Sequence, residues 1–332
     1  MPKKHIPVSE ELAPIETRSE DELYKDKVSS FAPATKLFTS RELVEQDFPE
    51  PEWLVEGLLP EGLTVLAGKQ KIGKSWFSLA IASRVSVGTL AFDYFTTKKQ
   101  GVLYISLEEN ARHIQERFAM MQGLPSEDLT FLFDPSINLP GIKLIETHVK
   151  DHPTGLVVID TLKRFLPAFD MNSYSETLPA MQSLKQICDI HDVSILALTH
   201  CNKSNADDVF DSVNGSVVVT ATADNTLILQ RRRGALTGYI RGDGRSLRGE
   251  FEYAFSLVED YGWQYLGTGT EQRTTEDQQA IIEALLELDE PAGAKDIAAV
   301  TGQNYGTVRV LLARLARDGR IDKPNRGRYA CK

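Results

Sequence analysis

The chain has 332 residues, 42% hydrophobic and 25% charged, which is enough for two domains of ordinary size with a sizeable core. Its formal net charge of −10 argues against a uniformly basic nucleic-acid-binding protein, although a local basic surface is compatible with it. The cysteines Cys188, Cys201 and Cys331 lack paired spacing, so neither a disulfide framework nor a zinc site is expected. No signal peptide is evident and no apolar run reaches the roughly 18 residues of a membrane span, so we expect a cytoplasmic protein without a membrane partner.

Residues 1–50 are predicted to form an N-terminal tail that is partly disordered. The tail is polar and contains the acidic run 20–22 and repeated prolines, namely Pro2, Pro7, Pro14 and Pro33. Such a segment has too few apolar side chains to form a core of its own, and it could instead dock on a neighbouring subunit. Thr39 is predicted to begin a short helix that extends to Gln46 and is stopped by the following prolines.

The most informative motif is a complete G-x-x-x-x-G-K-S phosphate-binding loop. It consists of Gly68, Lys69, Gln70, Lys71, Ile72, Gly73, Lys74 and Ser75. The apolar run 63–67 before it is typical of a buried strand, and residues 76–87 after it suit a buried helix. In this arrangement backbone N–H groups and a helix N-terminus surround a phosphate. Lys74 is predicted to contact the β- and γ-phosphates and Ser75 to bind Mg²⁺, so the expected cofactors are ATP and Mg²⁺.

From residue 51 to residue 268 the pattern predicts an α/β domain. Strands are predicted at 101–107, 130–133, 156–160 and 193–199, with helices at about 110–121 and 175–190. Continuous apolar strands separated by helices indicate a mostly parallel sheet that is covered on both faces. The pattern then changes to hairpins, with strands at 225–230, 236–240, 251–257 and 263–266, which indicates an antiparallel edge.

Four side chains at predicted strand ends are candidates for the chemistry of this domain. Asp160 closes its strand as a Walker B carboxylate, which can hold Mg²⁺ against the phosphates. No carboxylate follows Asp160 directly, so the catalytic base must come from elsewhere; we prefer Glu108, with Glu109 as the alternative. His200 ends the next strand, where it could hydrogen-bond the γ-phosphate and sense its loss.

Residues 271–332 are predicted to form a small winged helix-turn-helix domain after a linker at 267–270. Its first helix is predicted to begin at Thr274–Thr275, where Thr275 and Gln278 make a capping box. The second and third helices are predicted at 295–300 and about 305–317, and a hairpin wing at 320–329.

The end of this segment is strongly basic. Residues 305–332 contain eight basic and two acidic side chains, a net charge of +6 within an otherwise acidic chain. A basic recognition helix with a basic wing is typical of duplex DNA binding, with protein contacts as the alternative. The candidate DNA-binding residues are Gln303, Asn304, Tyr305, Thr307, Arg309, Arg314, Arg326 and Arg328.

Residues 53–266 resemble the RecA-like P-loop ATPases that form rings, and most closely the RepA-type hexameric helicases of plasmids and phages. The resemblance rests on Gly68–Ser75, Tyr104–Glu109 with Arg112 and Arg117, Val158–Phe165 and Thr199–Lys203. It implies a homohexameric ring with ATP between subunits, Glu108 as the catalytic carboxylate and His200 in the sensor position. It also implies that single-stranded DNA passes through the central channel, where Lys203 could touch a phosphate. The C-terminal winged helix departs from this family.

Ring ATPases of this class also resemble one another in placing an arginine from one subunit against the neighbour's γ-phosphate. Such an arginine finger stabilises transition-state charge and contributes about 10³- to 10⁵-fold in rate. Arg241 and Arg245, in the late hairpin region, are the two candidates.

The leading functional hypothesis is a replicative DNA helicase of a plasmid, phage or mobile element, that is, a ring motor driven by ATP hydrolysis. One alternative is an ATP-switched DNA-binding regulator or loader without unwinding activity. Another is a RecA-type recombination mediator, which predicts filaments rather than closed rings. A catalytic Glu108 favours turnover, whereas the winged helix favours attachment at a defined DNA site.

Overall fold

The computed structural model describes residues 37–47, 51–133, 140–166, 173–201, 210, 213, 216–232, 234–247, 249–258, 261–288 and 290–331. Residues up to Pro49 belong to a separate amino-terminal unit, whose described part contains one helix, α1 (Ser40–Glu45). Its N-cap is Thr39, as predicted, and a capping box with Glu42 stabilises it. Most of the predicted disordered tail lies outside the described residues.

The described part of residues 50–332 forms one compact unit around a nine-stranded sheet. The strands of this sheet are β3 (Leu63–Gly68), β4 (Val102–Ser106), β5 (Leu129–Leu132), β6 (Leu156–Asp160), β7 (Ser194–His200), β8 (Asn225–Arg231), β9 (Thr237–Gly244), β10 (Phe251–Val258) and β11 (Gly262–Thr268). They are preceded by a short hairpin of β1 (Trp53–Val55) and β2 (Leu59–Pro60).

The strand order is β11-β10-β9-β8-β3-β7-β6-β4-β5. Strands β8, β3, β7, β6, β4 and β5 are parallel to one another, whereas β9, β10 and β11 extend the sheet as antiparallel strands. The predicted fold class, an α/β fold with a mostly parallel sheet and an antiparallel edge, is therefore confirmed. This order makes the carboxyl ends of β3, β7, β6 and β4 neighbours at one edge of the sheet.

Helices cover both faces of the parallel strands, which explains why their sequences are continuously apolar. The helices are α2 (Lys74–Val87), α3 (Ala111–Met120), α4 (Pro140–Asp151), α5 (Leu162–Phe165), α6 (Tyr174–His191) and α7 (Ser216–Thr222). Leu66, Tyr104 and Val158 face one buried cluster together with residues of α2, while the alternate residues of the same strands face a second cluster with α6. Helix α4 was not predicted, although Pro140 at its first position and Ile145 with Val149 carry the signal.

The predicted linker at 267–270 is wrong, because β11 continues directly into a long helix, α8 (Gly269–Leu288). The helix begins at a capping box whose threonine, Thr268, precedes the predicted cap by about two helical turns. Thr268 donates from its N and Oγ1 to Glu271 Oε2 at 3.2 and 2.8 Å, and Glu271 N donates to Thr268 Oγ1. Thr275, the predicted cap, lies inside the helix and donates to the Glu271 carbonyl. The pair Thr268 and Glu271 has the same capping-box spacing as the pair Thr275 and Gln278, but only the second pair was predicted to form the cap.

The remaining elements follow in the predicted order: α9 (Ala294–Thr301), α10 (Tyr305–Arg317), and a hairpin of β12 (Asp322–Asn325) and β13 (Arg328–Ala330). We call residues 269–331 the C-terminal module. It has its own buried cluster, in which Ile281 and Leu285 of α8 pack with Ile297 of α9 and with Val308 and Leu312 of α10. Treating this module as a separate winged-helix domain stays a prediction. Among the described residues, no helix combines the length and apolar character needed to cross a membrane.

Candidate nucleotide-binding site

The phosphate-binding loop connects β3 to α2, as the sequence predicted. Gly73 is the N-cap of α2 and has φ 103°, a left-handed conformation that favours glycine. A Cβ atom on Gly68 would lie only 2.6 Å from Ile72 Cδ1 and 2.7 Å from the Leu229 carbonyl oxygen, so this position also requires glycine. The loop therefore presents backbone N–H groups beside the N-terminus of a buried helix, an arrangement that binds anions.

Lys74 directs its ammonium group into this loop and is only 6% exposed. Its Nζ donates to the carbonyl oxygens of Gly68 and Lys69 at 2.8 and 3.0 Å. Burial lowers the pKa of Lys74, and the charges of Asp160 and Glu108 oppose that shift. A phosphate oxygen can replace one of these carbonyl acceptors, so the cation is already held where phosphate binding requires it.

Asp160 and Ser75 form the candidate Mg²⁺ site. Asp160 is buried at the end of β6, and the Tyr104 hydroxyl donates to its Oδ2 at 3.1 Å. Oδ1 is buried and has no hydrogen-bond partner among the described residues. Burial raises the pKa of Asp160 to about 6, with the charges of Glu108 and Glu109 adding to the shift.

This donor set fits Mg²⁺. The ion prefers carboxylate and hydroxyl oxygens, and an orphaned, buried carboxylate oxygen gains from a divalent cation. Asp160 and Ser75 would hold the ion, which when bound neutralises charge on the phosphates.

Glu108 and His200 meet beside Lys74 because parallel pairing aligns the carboxyl ends of their strands; Gly68 pairs with His200 across β3 and β7. His200 Nδ1 lies 3.2 Å from Lys74 Nζ, and His200 Nε2 lies 3.7 Å from Glu108 Oε1. Thr161 Oγ1 donates to the same Glu108 oxygen at 2.9 Å. The interaction with His200, followed by the bond from Thr161, lowers the pKa of Glu108 against the opposing effect of burial, so the carboxylate form is favoured.

Glu109, the alternative base, is committed to a different partner. Its carboxylate forms two contacts with Arg117, at 2.6 and 2.7 Å, and both side chains are largely buried. Arg117 in turn lies over the Trp76 ring, 5.1 Å from its centroid. Glu109 therefore fixes Arg117, the residue that connects α3 to Trp76 of α2. Glu108 instead faces Lys74 and His200.

The two candidate finger arginines lie at different levels of the sheet: Arg241 pairs with Ile228, the partner of Ala67 just before the phosphate loop, whereas Arg245 lies at the opposite end. Because β9 is antiparallel to β8, Gly244 pairs with Asn225 at the amino-terminal end of β8, and Arg245 follows there. Arg241 Nε donates to Glu252 at 2.5 Å, and Arg273 binds the same carboxylate. Arg245 is exposed in part and makes a long contact, 3.5 Å, with the Ala221 carbonyl.

Some of the candidate DNA-binding side chains form hydrogen bonds or ion pairs within the module, and others do not. Gln303 Nε2 donates to Asp277 Oδ1 at 3.1 Å, and Asn304 caps α10 by accepting from Gly306 N at 2.8 Å. Arg314 and Arg328 face carboxylates on their own module, at 3.8 and 3.1 Å. The candidates whose side chains make no hydrogen bond or ion pair among the described residues are Tyr305, Thr307, Arg309 and Arg326, and all four are exposed. Lys203 lies outside the described residues.

Three residues of the site were not predicted from the sequence: Thr161, Tyr104 and Trp263. The first two have a local signal, since Thr161 directly follows Asp160 and Tyr104 lies in the strand before Glu108. Trp263 has none, because it belongs to β11 and reaches the loop only through the antiparallel edge. Its Nε1 donates to the Gly73 carbonyl oxygen at 2.9 Å.

Replacing Trp263 with Phe is expected to weaken nucleotide binding about fivefold. The substitution keeps an aromatic ring but removes a hydrogen bond worth about 1 kcal/mol to the loop. Fluorescence titration with a labelled nucleotide measures the effect. The matched control is Trp53→Phe in the β1–β2 hairpin, and equal losses in both variants would contradict a role at the loop.

Comparison with known proteins gives a family for this arrangement. Residues 32–206 match the AAA domain family. The chain matches no curated protein. Among solved structures it is similar to a KaiC-like protein from the hyperthermophilic archaeon Pyrococcus horikoshii OT3, at 16% identity over 64% of this chain and 93% of that one, with a TM-score of 0.47. It is also similar to the RadB recombinase, at 16% identity over 62% of this chain and 90% of that one, with a TM-score of 0.46. Because the family match spans more than half of the chain and contains the phosphate loop, Glu108, Asp160 and His200, the protein belongs to the AAA domain family.

Proposed function

We propose that the protein is an ATP-hydrolysing ring motor that acts on DNA, a replicative helicase of a plasmid, phage or mobile element. The observation that carries the ATPase part is the connected set of Lys74, His200, Glu108 and Thr161 at the carboxyl ends of adjacent strands. A P-loop protein that only senses nucleotide does not need a carboxylate oriented in this way. The set supports turnover.

Phosphoryl transfer depends mainly on positioning and charge stabilisation, and these residues supply both. Lys74 exchanges a loop carbonyl for a phosphate oxygen. Ser75 and Asp160 would hold Mg²⁺. Glu108 stays ionised and orients the attacking water, accepting its proton.

His200 fits a sensor role because of the hydrogen-bond direction that its neighbours impose. The Lys74 ammonium has only donors, so His200 Nδ1 accepts and the ring proton of the neutral imidazole lies on Nε2, towards Glu108. When Lys74 exchanges a loop carbonyl for a γ-phosphate oxygen, its ammonium contacts both the phosphate and His200 Nδ1. Departure of the phosphate then moves the donor of His200, and Cys201 follows His200 directly on the chain. In this way the departure of the γ-phosphate would change the conformation of the segment that follows β7.

A ring also requires a residue from the neighbouring subunit, and we propose Arg245 for this role. Arg241 is neutralised by Glu252, which Arg273 also binds, so freeing Arg241 would break an ion-pair cluster. Arg245 has no carboxylate partner among the described residues, and it lies on the opposite end of the sheet from its own loop.

The C-terminal module supports contact with duplex DNA, and it also favours the second candidate, an ATP-switched regulator or loader. Arg309 on α10 and Arg326 between β12 and β13 are exposed and make no ion pair among the described residues. Free arginines on a helix and an adjacent hairpin suit phosphate binding.

Replacing Arg309 or Arg326 with Ala is expected to weaken duplex binding and to reduce its salt dependence. Each lost phosphate contact lowers the slope of log affinity against log salt by about 1. Fluorescence anisotropy with one duplex at several salt concentrations measures the slope. The matched control is Arg112→Ala on α3, an exposed arginine that pairs with Glu116. An unchanged slope in both module variants would assign the module to protein contacts.

Unwinding of a forked duplex by the full-length protein and by Lys74→Ala separates motor from switch. We expect single-stranded DNA to stimulate ATP hydrolysis and the wild type alone to unwind the fork. If rings form but DNA neither stimulates hydrolysis nor is unwound, the helicase proposal is wrong and the regulator stands. Electron microscopy of the ATP-bound protein distinguishes rings from the filaments that a recombination mediator predicts.

A further inference from the structure

We infer that Tyr104 is a positioning residue for Mg²⁺: with Ser78 it braces Ser75 and Asp160 and selects the Asp160 oxygen that is left for the metal. This inference rests on the proposed ATPase function. Neither the phosphate-loop motif nor the Walker B motif includes Tyr104 or Ser78.

Tyr104 lies in β4 between the two elements that carry the metal ligands. Its side chain is fully buried, with the ring against Phe131 at a centroid distance of 5.6 Å. Its hydroxyl is 3.1 Å from Asp160 Oδ2 on β6 and 3.0 Å from Ser78 Oγ on α2. A buried tyrosine hydroxyl needs partners, and these two side chains provide them.

The direction of these hydrogen bonds follows from their chemistry. An ionised Asp160 can only accept, so Tyr104 donates to it. The single Ser78 proton is then shared between two acceptors, the Tyr104 oxygen at 3.0 Å and the Ser75 carbonyl oxygen at 3.2 Å. Helix α2, which begins one residue before Ser75, is thereby tied to the end of β6.

This tie decides which carboxylate oxygen is available. Oδ2 is held by Tyr104, whereas Oδ1 is buried and has no partner among the described residues. Without the tyrosine hydroxyl the carboxylate can rotate, and second-sphere partners of this kind typically contribute 10- to 100-fold in metal affinity.

The test is Tyr104→Phe in the full-length protein, with Mg²⁺ and Mn²⁺ as probes. Nucleotide binding is titrated by fluorescence at increasing Mg²⁺ and in a chelator, and Mn²⁺ binding is followed by electron paramagnetic resonance. We expect the Mg²⁺ concentration at half-saturation to rise about 10- to 100-fold. Metal-free nucleotide binding should be unchanged, and excess Mg²⁺ should restore kcat.

Two further variants complete the test. Ser78→Ala removes the donor to Tyr104 but leaves the bond to Asp160, so its shift should have the same direction and be smaller. If Tyr104→Phe fails to fold, Ser78→Ala carries the test. The matched control is Tyr253→Phe, which removes a hydroxyl from the aromatic cluster around Phe95 and should have no effect.

The outcomes are distinct. An unchanged Mg²⁺ requirement in Tyr104→Phe overturns the inference while the ATPase proposal stands. An equal loss of metal-free binding assigns Tyr104 to packing and also overturns it. If the wild type shows no Mg²⁺-dependent nucleotide binding, the proposed function itself fails and this inference fails with it.

Discussion

Replacing Glu108 with Gln is expected to reduce kcat for ATP hydrolysis by about 10²- to 10⁴-fold, the usual contribution of a general base. The amide has the shape of the carboxylate and its oxygen can still accept from Thr161, so the local geometry is kept. It cannot accept the proton of the attacking water. ATP affinity should change little, because Glu108 is 39% exposed and is connected to the loop residue Lys74 only indirectly, through His200. Single-turnover hydrolysis and a nucleotide titration measure the two quantities.

The control for this prediction is Glu109→Gln. This change breaks the pair with Arg117, which holds α3 against Trp76, so it should lower the melting temperature. Its effect on kcat should be much smaller than that of Glu108→Gln. If Glu109→Gln causes the larger loss of kcat, the assignment of the base is reversed.

Replacing Lys74 with Ala is expected to reduce hydrolysis by at least about 10²- to 10³-fold, comparable to removing a preorganised donor from other active sites. The side chain is buried, and its ammonium is the cation that the structure holds inside the phosphate loop. Nucleotide binding should weaken as well, because the same charge contacts the ground-state phosphates. Steady-state kinetics over a range of ATP concentrations separates kcat from KM.

The matched control is Lys71→Ala in the same loop. Lys71 is exposed and makes no side-chain hydrogen bond or ion pair among the described residues, so the variant should stay within a few-fold of the wild type. Equal losses in Lys71→Ala and Lys74→Ala would mean that general loop charge, rather than one placed ammonium, binds the phosphates.

The nucleotide site was largely predictable from the sequence because its signals are local. A glycine pattern between an apolar strand and a helix specifies the backbone of the loop, and a carboxylate at a strand's end predicts its place in a parallel sheet. Which of the two adjacent carboxylates, Glu108 or Glu109, is held by an arginine was not a local signal. It depends on Arg117, which lies in the second turn of the next helix and binds Glu109.

The start of the C-terminal module could not be predicted from the sequence for a different reason. Thr268 and Thr275 carry equivalent capping signals, and propensity alone does not choose between them. Strand β11 pairs with β10 as far as Thr268, so the helix can begin immediately after the ladder ends. Pairing with a partner strand therefore decided where the helix starts.

The sequence by itself determined the α/β class, the phosphate loop, the strand-end carboxylates and a basic C-terminal segment, since each depends on residues close together in the chain. Only the tertiary structure decided the strand order, which brings His200 beside Lys74 and Glu108. It alone revealed Trp263 at the loop and Tyr104 between Ser78 and Asp160. Those contacts join residues that are far apart in sequence, and no local pattern encodes which buried donors will face which acceptors once the sheet has formed.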